Sequence, residues 1–449
     1  MPNSPSGETV EQALTTLAAL HPKKIDLGLD RILNVLAKLG NPQQRLPPVV
    51  HIAGTNGKGS TVAYLRAFAQ SAGLKAHVYT SPHLVHFRER IVVGSEDITD
   101  AALVDVLSRV RKANGGAPLS FFEATTAAMF LAFSESPADI ALIEVGLGGR
   151  YDATNVITPA CCGITPIDYD HAEFLGRDIA GIAREKAGIM KAHCPVVIGP
   201  QMDVVRAVLD AEANKARSPA KFWNEDFRAY RQHGRLVFED DGQLMDLPVP
   251  ALIGEHQIMN AGTAIAIARQ MQIPESAIEK GLGTVSWPAR MQNLPSGMLA
   301  DIVSDIGGEL WLDGGHNPHA ARAVANVMAD LEAKAPRPLI LITGILANKD
   351  IGGFLDAFKG LASAVIGVEI PDHTSLAPET LIELADKRGL IGQVANNVTG
   401  AVQLAIKTGA DLSNENKEDP QLAPRILICG SLYLAGEVLK INSLAEHIE

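Results

Sequence analysis

Val49-Val50-His51-Ile52-Ala53-Gly54-Thr55-Asn56-Gly57-Lys58-Gly59-Ser60-Thr61-Val62 is the stretch on which the reading of this chain turns. An apolar run ends in a glycine-rich turn that carries one lysine and then two hydroxyls. A helical pattern follows from about Thr61 to Gly73. Strand, glycine turn and helix N-terminus together suit phosphate. Glycines let backbone N–H groups approach an anion, the helix dipole favours negative charge, and Lys58 adds a point charge. Ser60 or Thr61 can set a hydroxyl oxygen on Mg²⁺. The match to G-x-x-x-x-G-K-[ST] is imperfect, because Ile52 stands at the first glycine position and Gly59 follows the lysine.

Outward from this loop, the chain of 449 residues is longer than one core usually supports, so two or three domains are expected. Hydrophobic content of 47% and charged content of 20% describe an ordinary globular protein. The balance of 39 Lys+Arg against 51 Asp+Glu gives −12, which argues against nucleic-acid binding. An anionic small molecule remains compatible, since local cations can focus one. The cysteines Cys161, Cys162, Cys194 and Cys429 show no C-x-x-C spacing and fit a reducing compartment. Neither a secretory h-region near Met1 nor an apolar run of about 18 residues is visible, so the cytoplasm is the expected location, with no membrane contact.

Along the chain, strands are expected at 49–53, 75–79, 139–145, 161–165 and 195–198. Helices are expected at 8–20, 30–39, 99–113, 121–133, 178–191, 203–217 and from about 256 to 271. Asp26 or Asp30 reads as a cap for the second helix and Ser120 as a cap for the fifth segment. Glu144 closes an apolar strand at its carboxyl end, where open α/β sheets place ligands, and suits a metal. Residues 221–250 look β-like, with Asp240-Asp241-Gly242 as a hairpin turn. Leu294-Pro295-Ser296-Gly297 is the linker candidate, giving a first domain over 1–293, a linker at 294–298 and a second domain over 299–449. In the second, strands are expected at 299–303, 309–312, 338–343, 363–368 and 425–429. The tract 411–423 reads as a polar loop.

Seven blocks carry a resemblance. They are Gly54–Ser60, Thr80-Ser81-Pro82-His83-Leu84, Glu144–Asn155, Asp170-His171, Arg184-Glu185-Lys186-Ala187-Gly188, Trp287-Pro288-Ala289-Arg290 and Asp313-Gly314-Gly315-His316-Asn317-Pro318. The sequence resembles the Mur ligase-like superfamily, and within it the folylpolyglutamate synthase/dihydrofolate synthase family. The resemblance implies an α/β protein with an N-terminal P-loop ATPase domain and a C-terminal Rossmann-like domain. The implied reaction activates a pterin-linked carboxylate with ATP as an acyl phosphate, which the amine of L-glutamate then attacks. Dihydropteroate and reduced folates are the implied acceptors, and a monomer is implied.

The resemblance also implies roles. Asn56, Gly57, Lys58, Gly59 and Ser60 hold the ATP phosphates, with Asn260, Arg290 and Asp313 completing the nucleotide site. Ser60, Ser81, Glu144 and His171 ligate Mg²⁺, two ions being expected and K⁺ left open. On its residues alone His171 reads equally as a core or capping histidine. Asp26, Leu27, Gly28, Leu29, Phe122, Asp152 and Ala153 meet the pterin, and Arg90, His316 and Ser431 meet glutamate. Lys58, Lys186 and His316 form the catalytic set, with Lys186 carbamylated by CO₂. On its residues alone Lys186 is a charged group on a helix. One departure is visible: Asn348 stands where relatives carry aspartate before Lys349-Asp350. Competing readings are a monofunctional folylpolyglutamate synthase, a peptidoglycan-precursor ligase and, from a different class, a non-catalytic nucleotide switch.

Overall fold

A computed structural model describes residues 8–20, 28–415 and 422–443. The chain divides into two compact units, one of Met1–Ala251 with Gln257–Ser286 and one of Leu252–His256 with Trp287–Glu449. The stretch 294–298 lies inside the second unit.

The first unit is built on an eight-stranded sheet. Its strands are β1 Val49–Ala53, β2 Ala76–Tyr79, β3 Ile91–Val93, β4 Glu96–Asp97, β5 Ile140–Glu144, β6 Cys161–Ile164, β7 Val196–Ile198 and β8 Ala220–Phe222. The spatial order is β4-β3-β2-β5-β1-β6-β7-β8. All neighbours run parallel except β3 and β4 at one edge. Helices cover the sheet, so β1 and β5 are buried along their whole length and read as near-continuous apolar runs. Because β5 lies between β2 and β1, the residue that ends it sits between the loops that follow those strands. A separate antiparallel meander, β9 Phe227–Gln232, β10 Arg235–Asp240 and β11 Gln243–Leu247, turns at Asp241 and Gly242, both with positive φ.

The second unit carries a six-stranded sheet of β12 Gln292–Asn293, β13 Glu309–Leu312, β14 Leu339–Thr343, β15 Ala364–Gly367, β16 Gly392–Val394 and β17 Arg425–Cys429. The order is β12-β13-β17-β14-β15-β16, parallel except for β12. The carboxyl ends of β13 and β17 are therefore side by side.

Several expectations are corrected. The helix after the phosphate loop is Lys58–Ser71, starting three residues before Thr61, because Gly57 caps it in the left-handed region and Lys58-Gly59-Ser60 form its first turn. The expected strand 299–303 is a helix, Met298–Ser304, whose first-turn amides at Leu299 and Ala300 both donate to Asn442 Oδ1 from a distant helix. Its buried Leu299, Ala300 and Val303 fit helical spacing as well as a strand. The expected loop 411–423 begins inside a helix, Val398–Glu415. The helix Asp30–Lys38 is preceded by Leu29, with no side-chain cap, so Asp30 is a first-turn residue and not the cap. Asp26 lies outside the described residues. Ser120 does cap Phe121–Ser134, in a reciprocal box with Glu123.

Candidate active site

The phosphate loop leaves β1 at Gly54, whose φ of 149° and close approach to the Thr165 hydroxyl exclude any side chain. Thr55 N–H donates to Pro166 O at 2.9 Å, and Thr55 Oγ1 donates to Asp168 O at 2.9 Å, so the loop is tied to the segment after β6. Gly57, with φ 87°, lies under the Asn260 carboxamide, where a Cβ would collide with Oδ1. The first turn, Lys58 to Ser60, has N–H groups with no acceptor inside the helix, the ordinary condition of a helix start. Lys58 Nζ donates to Thr55 O at 3.3 Å and lies 3.8 Å from Glu144 Oε1. Ser81 N–H donates to Glu144 Oε2 at 3.3 Å. Lys58, Ser60, Ser81 and Glu144 thus converge on one end of the sheet.

Lys186 reaches the same place from the helix Ile179–Ala187. It is buried, and its Nζ donates to Gly54 O at 2.8 Å. Burial and the nearby Lys58 cation push it down to about 7, against weaker attraction from Asp170 and Asp152. Gly149 permits the approach of that helix, since a Cβ there would stand 2.7 Å from Glu185 O. His171 is different. It is half-exposed on a left-handed turn, with Nε2 3.8 Å from Asp170 Oδ2.

Of the residues expected at the pterin, those around Phe122 form a second cluster. Leu29, Phe122 and Ala153 pack on one hydrophobic core, and Phe122 covers Gly146, where a Cβ would overlap its ring. The Asp152 carboxylate is buried under donors from Leu147 N at 2.8 Å and Thr154 N at 3.0 Å. Arg31 Nε donates to both oxygens of Glu123 at 3.2 and 3.1 Å, tying the helix after Gly28-Leu29 to the one that begins beside Phe122. Leu27 lies outside the described residues. Arg90 donates to His83 Nδ1 at 2.9 Å and lies over the Phe87 ring.

In the second unit, Asp313 follows β13. Its Oδ2 accepts Met291 N–H at 2.8 Å and its Oδ1 accepts Gly315 N–H at 2.7 Å. Arg290 donates to Ala289 O at 2.7 Å and lies against Gly314. His316 Nδ1 is 2.9 Å from Gly314 O. Ser431 caps Leu432–Asn442 by accepting Tyr433 N–H at 3.1 Å, and Gly430 N–H donates to Gly315 O at 2.9 Å. Arg290, Asp313, His316 and Ser431 are therefore neighbours at the ends of β13 and β17. Asn348 is exposed, and the Asp350 that follows it caps the helix Ile351–Asp356.

Residues 52–268 match the Mur ligase middle domain and residues 300–441 match the dihydrofolate synthetase C-terminal domain. The chain is 33% identical over 91% of its length to the folylpolyglutamate synthase of Lacticaseibacillus casei, covering 92% of that protein. It is 32% identical over 95% of its length to the dihydrofolate synthase/folylpolyglutamate synthase of Escherichia coli K12, covering 94%. The chain belongs to the dihydrofolate synthase/folylpolyglutamate synthase family. Among solved members, the Escherichia coli FolC in complex with DHPP and ADP superposes with a TM-score of 0.86 at 28% identity, over 99% of this chain and 100% of that one. The bifunctional Yersinia pestis enzyme complexed with AMPPNP and Mn superposes with a TM-score of 0.83 at 26% identity, over 100% of both chains. This is the Mur ligase fold expected from the seven blocks, and the folate branch displaces the peptidoglycan-precursor alternative.

Three residues beside these clusters were not singled out in the sequence. Gln257 is buried between Ser60, whose hydroxyl is 3.4 Å from its Nε2, and Asn260, which donates to its Oε1 at 3.2 Å. The i, i+3 spacing of Gln257 and Asn260 on one helix is the signal that could have found it. His256 sits near Asp313, Arg290 and His319, and desolvation drives it down to about 4. His51, in the middle of β1, faces Thr154.

Proposed function

We propose that this chain joins L-glutamate to dihydropteroate and to reduced folates, consuming ATP through an acyl phosphate. A carboxylate resists an amine until one of its oxygens becomes a leaving group, and transfer of the γ-phosphoryl group supplies that. The observation that carries the reading is the convergence of Lys58, Ser60, Glu144 and Lys186 on the phosphate loop, in a chain that matches such ligases along nearly its whole length.

Lys58 and the first-turn amides neutralise the phosphate oxygens and keep that charge in place as it redistributes in the transition state. Arg290 and Asp313 serve the nucleotide, and His316, Ser431 and Arg90 serve the carboxylates and amine of glutamate. Among the described residues no group of three His, Cys, Asp or Glu side chains could by itself hold a metal ion. The donors present, the buried Ser60 hydroxyl and the Glu144 carboxylate at neighbouring strand ends, are hard oxygens that fit Mg²⁺ completed by phosphate and water. Ser60, Ser81 and Glu144, with His171 for a second ion, would hold it, and the ion would supply Lewis-acid charge at the phosphate oxygens.

Lys186, with an amine near neutrality at physiological pH, is a nucleophile for CO₂ and is proposed as the carbamylated lysine. Incubation with ¹³C-bicarbonate should give a carbamate carbon resonance that Lys186→Ala removes; activity indifferent to bicarbonate would overturn this. The reaction itself is tested by phosphate release and product analysis with ATP and glutamate, using dihydropteroate in one arm and tetrahydrofolate in the other. Turnover in both arms is expected. Turnover with tetrahydrofolate alone supports the monofunctional reading, which the likeness to the Lacticaseibacillus casei enzyme favours. Release in neither arm defeats the ligase reading. A monomer in the cytoplasm is the proposed state, and no helix among the described residues is long and apolar enough to cross a membrane.

A further inference from the structure

His51 is an unusual tenant of a central strand. It is fully buried in β1, three residues before the phosphate loop, where an aliphatic side chain would pack without a polar cost. Its Nε2 lies 2.9 Å from Thr154 Oγ1, itself fully buried. Thr154 Oγ1 lies 2.5 Å from Asp152 Oδ1, which also accepts Thr154 N–H. The three side chains form one buried row.

The direction of that row follows from proton counting. Burial pushes the Asp152 carboxyl up, while the donors from Thr154, Leu147 and Gly146 favour its ionised form; a carboxylate only accepts, so the single Thr154 hydroxyl proton points to Asp152. The hydroxyl oxygen must then accept from His51, which fixes the Nε2–H tautomer. Nδ1 becomes the bare nitrogen, and it has no hydrogen-bond partner. The reverse direction would need a protonated Asp152 and would strand an N–H at the buried Nδ1. Burial, helped by Lys191, holds His51 down at about 3, so the ring stays neutral and keeps one proton to give. Asp152 Oδ1 is filled by the two Thr154 donors, while Oδ2 takes Leu147 N–H and faces the Gly146–Leu147 turn beneath Phe122. The Gly146 amide bonds the carboxylate as well, so it is held in one rotation, with Oδ2 on the side where a further donor would approach. A pterin offers such a donor edge in its ring N–H and exocyclic amine.

We infer that His51 and Thr154 are positioning residues that lock Asp152 as an ionised, singly oriented carboxylate for the pterin, and so set acceptor affinity without touching phosphoryl transfer. This rests on the reading of Asp152 as a pterin contact.

The test compares Thr154→Val, Thr154→Ser, His51→Leu and His51→Gln with Asp152→Asn in the full-length enzyme. The readouts are KM for dihydropteroate, KM for ATP and kcat, with melting temperature alongside. Thr154→Val should raise KM for dihydropteroate by about tenfold, the scale of one buried hydrogen bond to a charged group. His51→Leu should raise it by about threefold, and KM for ATP and kcat should change by less than about twofold in both. Thr154→Ser and His51→Gln keep the donors and should restore the wild-type value; they also answer if the apolar variants fail to fold. A lower melting temperature with unchanged KM for dihydropteroate would show a merely structural row and overturn the inference. If Asp152→Asn raises that KM while Thr154→Val and His51→Leu do not, the inference falls and the pterin reading stands. If Asp152→Asn leaves it unchanged, the pterin reading falls and the inference with it.

Discussion

The ends of β1 and β13 make an instructive pair. Each closes a strand in a parallel sheet, and each begins a glycine-bearing loop that leads into a helix. At β1 the loop is flanked by two lysines, Lys58 and Lys186, and its glycines are needed because side chains and carbonyls press on them. At β13 the loop is held by a carboxylate, Asp313, whose two oxygens are both occupied by backbone amides. The first arrangement gathers two lysines, one of them paired with Glu144, around loop amides that suit an anionic ligand. The second satisfies itself, leaving His316, Arg290 and Ser431 as the adaptable groups around a rigid turn. One end is built for charge and the other for shape.

The sharpest way to break this contrast is Lys58→Ala, which should lower kcat by about two to three orders of magnitude with little change in melting temperature. Steady-state phosphate release measures it, and a preserved kcat would deny the charge role. Asp313→Ala should do the converse in part, orphaning the amides of Met291 and Gly315 and costing about 3 kcal/mol of stability, read by thermal melting. If it melts like wild type, the turn does not depend on its carboxylate.

Lys186 gives a pH test. Its folded value of about 7 lies below the ordinary 10.5, so between these limits the unfolded chain binds more protons and stability rises with pH. In CO₂-free buffer, Lys186→Met should be more stable than wild type near pH 6, with the gap narrowing as pH rises toward about 10. A gap independent of pH would place the lysine in water.

Smaller effects refine the picture. Arg31→Ala should cost about 1 kcal/mol, because the pair with Glu123 is partly solvated, and should raise KM for dihydropteroate by a few-fold. Asn348→Asp, which installs the residue that the resemblance leads one to expect there, should change stability by less than about 0.5 kcal/mol, since the site is exposed. A larger change in activity would mark it as a functional contact.

The same contrast explains what could be read from the residues. Gly54, Gly57, Lys58 and Glu144 announce themselves, because a lysine within a glycine turn and an acid closing an apolar strand have few packing uses. Asp313 and Ser431 carry no such mark, and their meeting depends on β17, over a hundred residues further on, lying beside β13. The helix Met298–Ser304 was hidden for a similar reason: its start is capped by Asn442, which no local pattern shows. His51 was read as one residue of an apolar run, and its partner Thr154 belongs to another loop. Local chemistry was legible; chemistry completed by long-range pairing was not.

That pairing also orders events in time. β1 hydrogen-bonds on one side to β5 and on the other to β6, while the meander from Phe227 to Leu247 joins near neighbours. Emerging from a ribosome, the phosphate loop precedes both flanking strands, and the second of them is complete only when Ile164 has appeared. The meander can close within moments of its own synthesis. A nascent chain therefore acquires its nucleotide cradle only once β6 has been made, more than a hundred residues after the loop itself, and ATP can act as a folding ligand only from that point on.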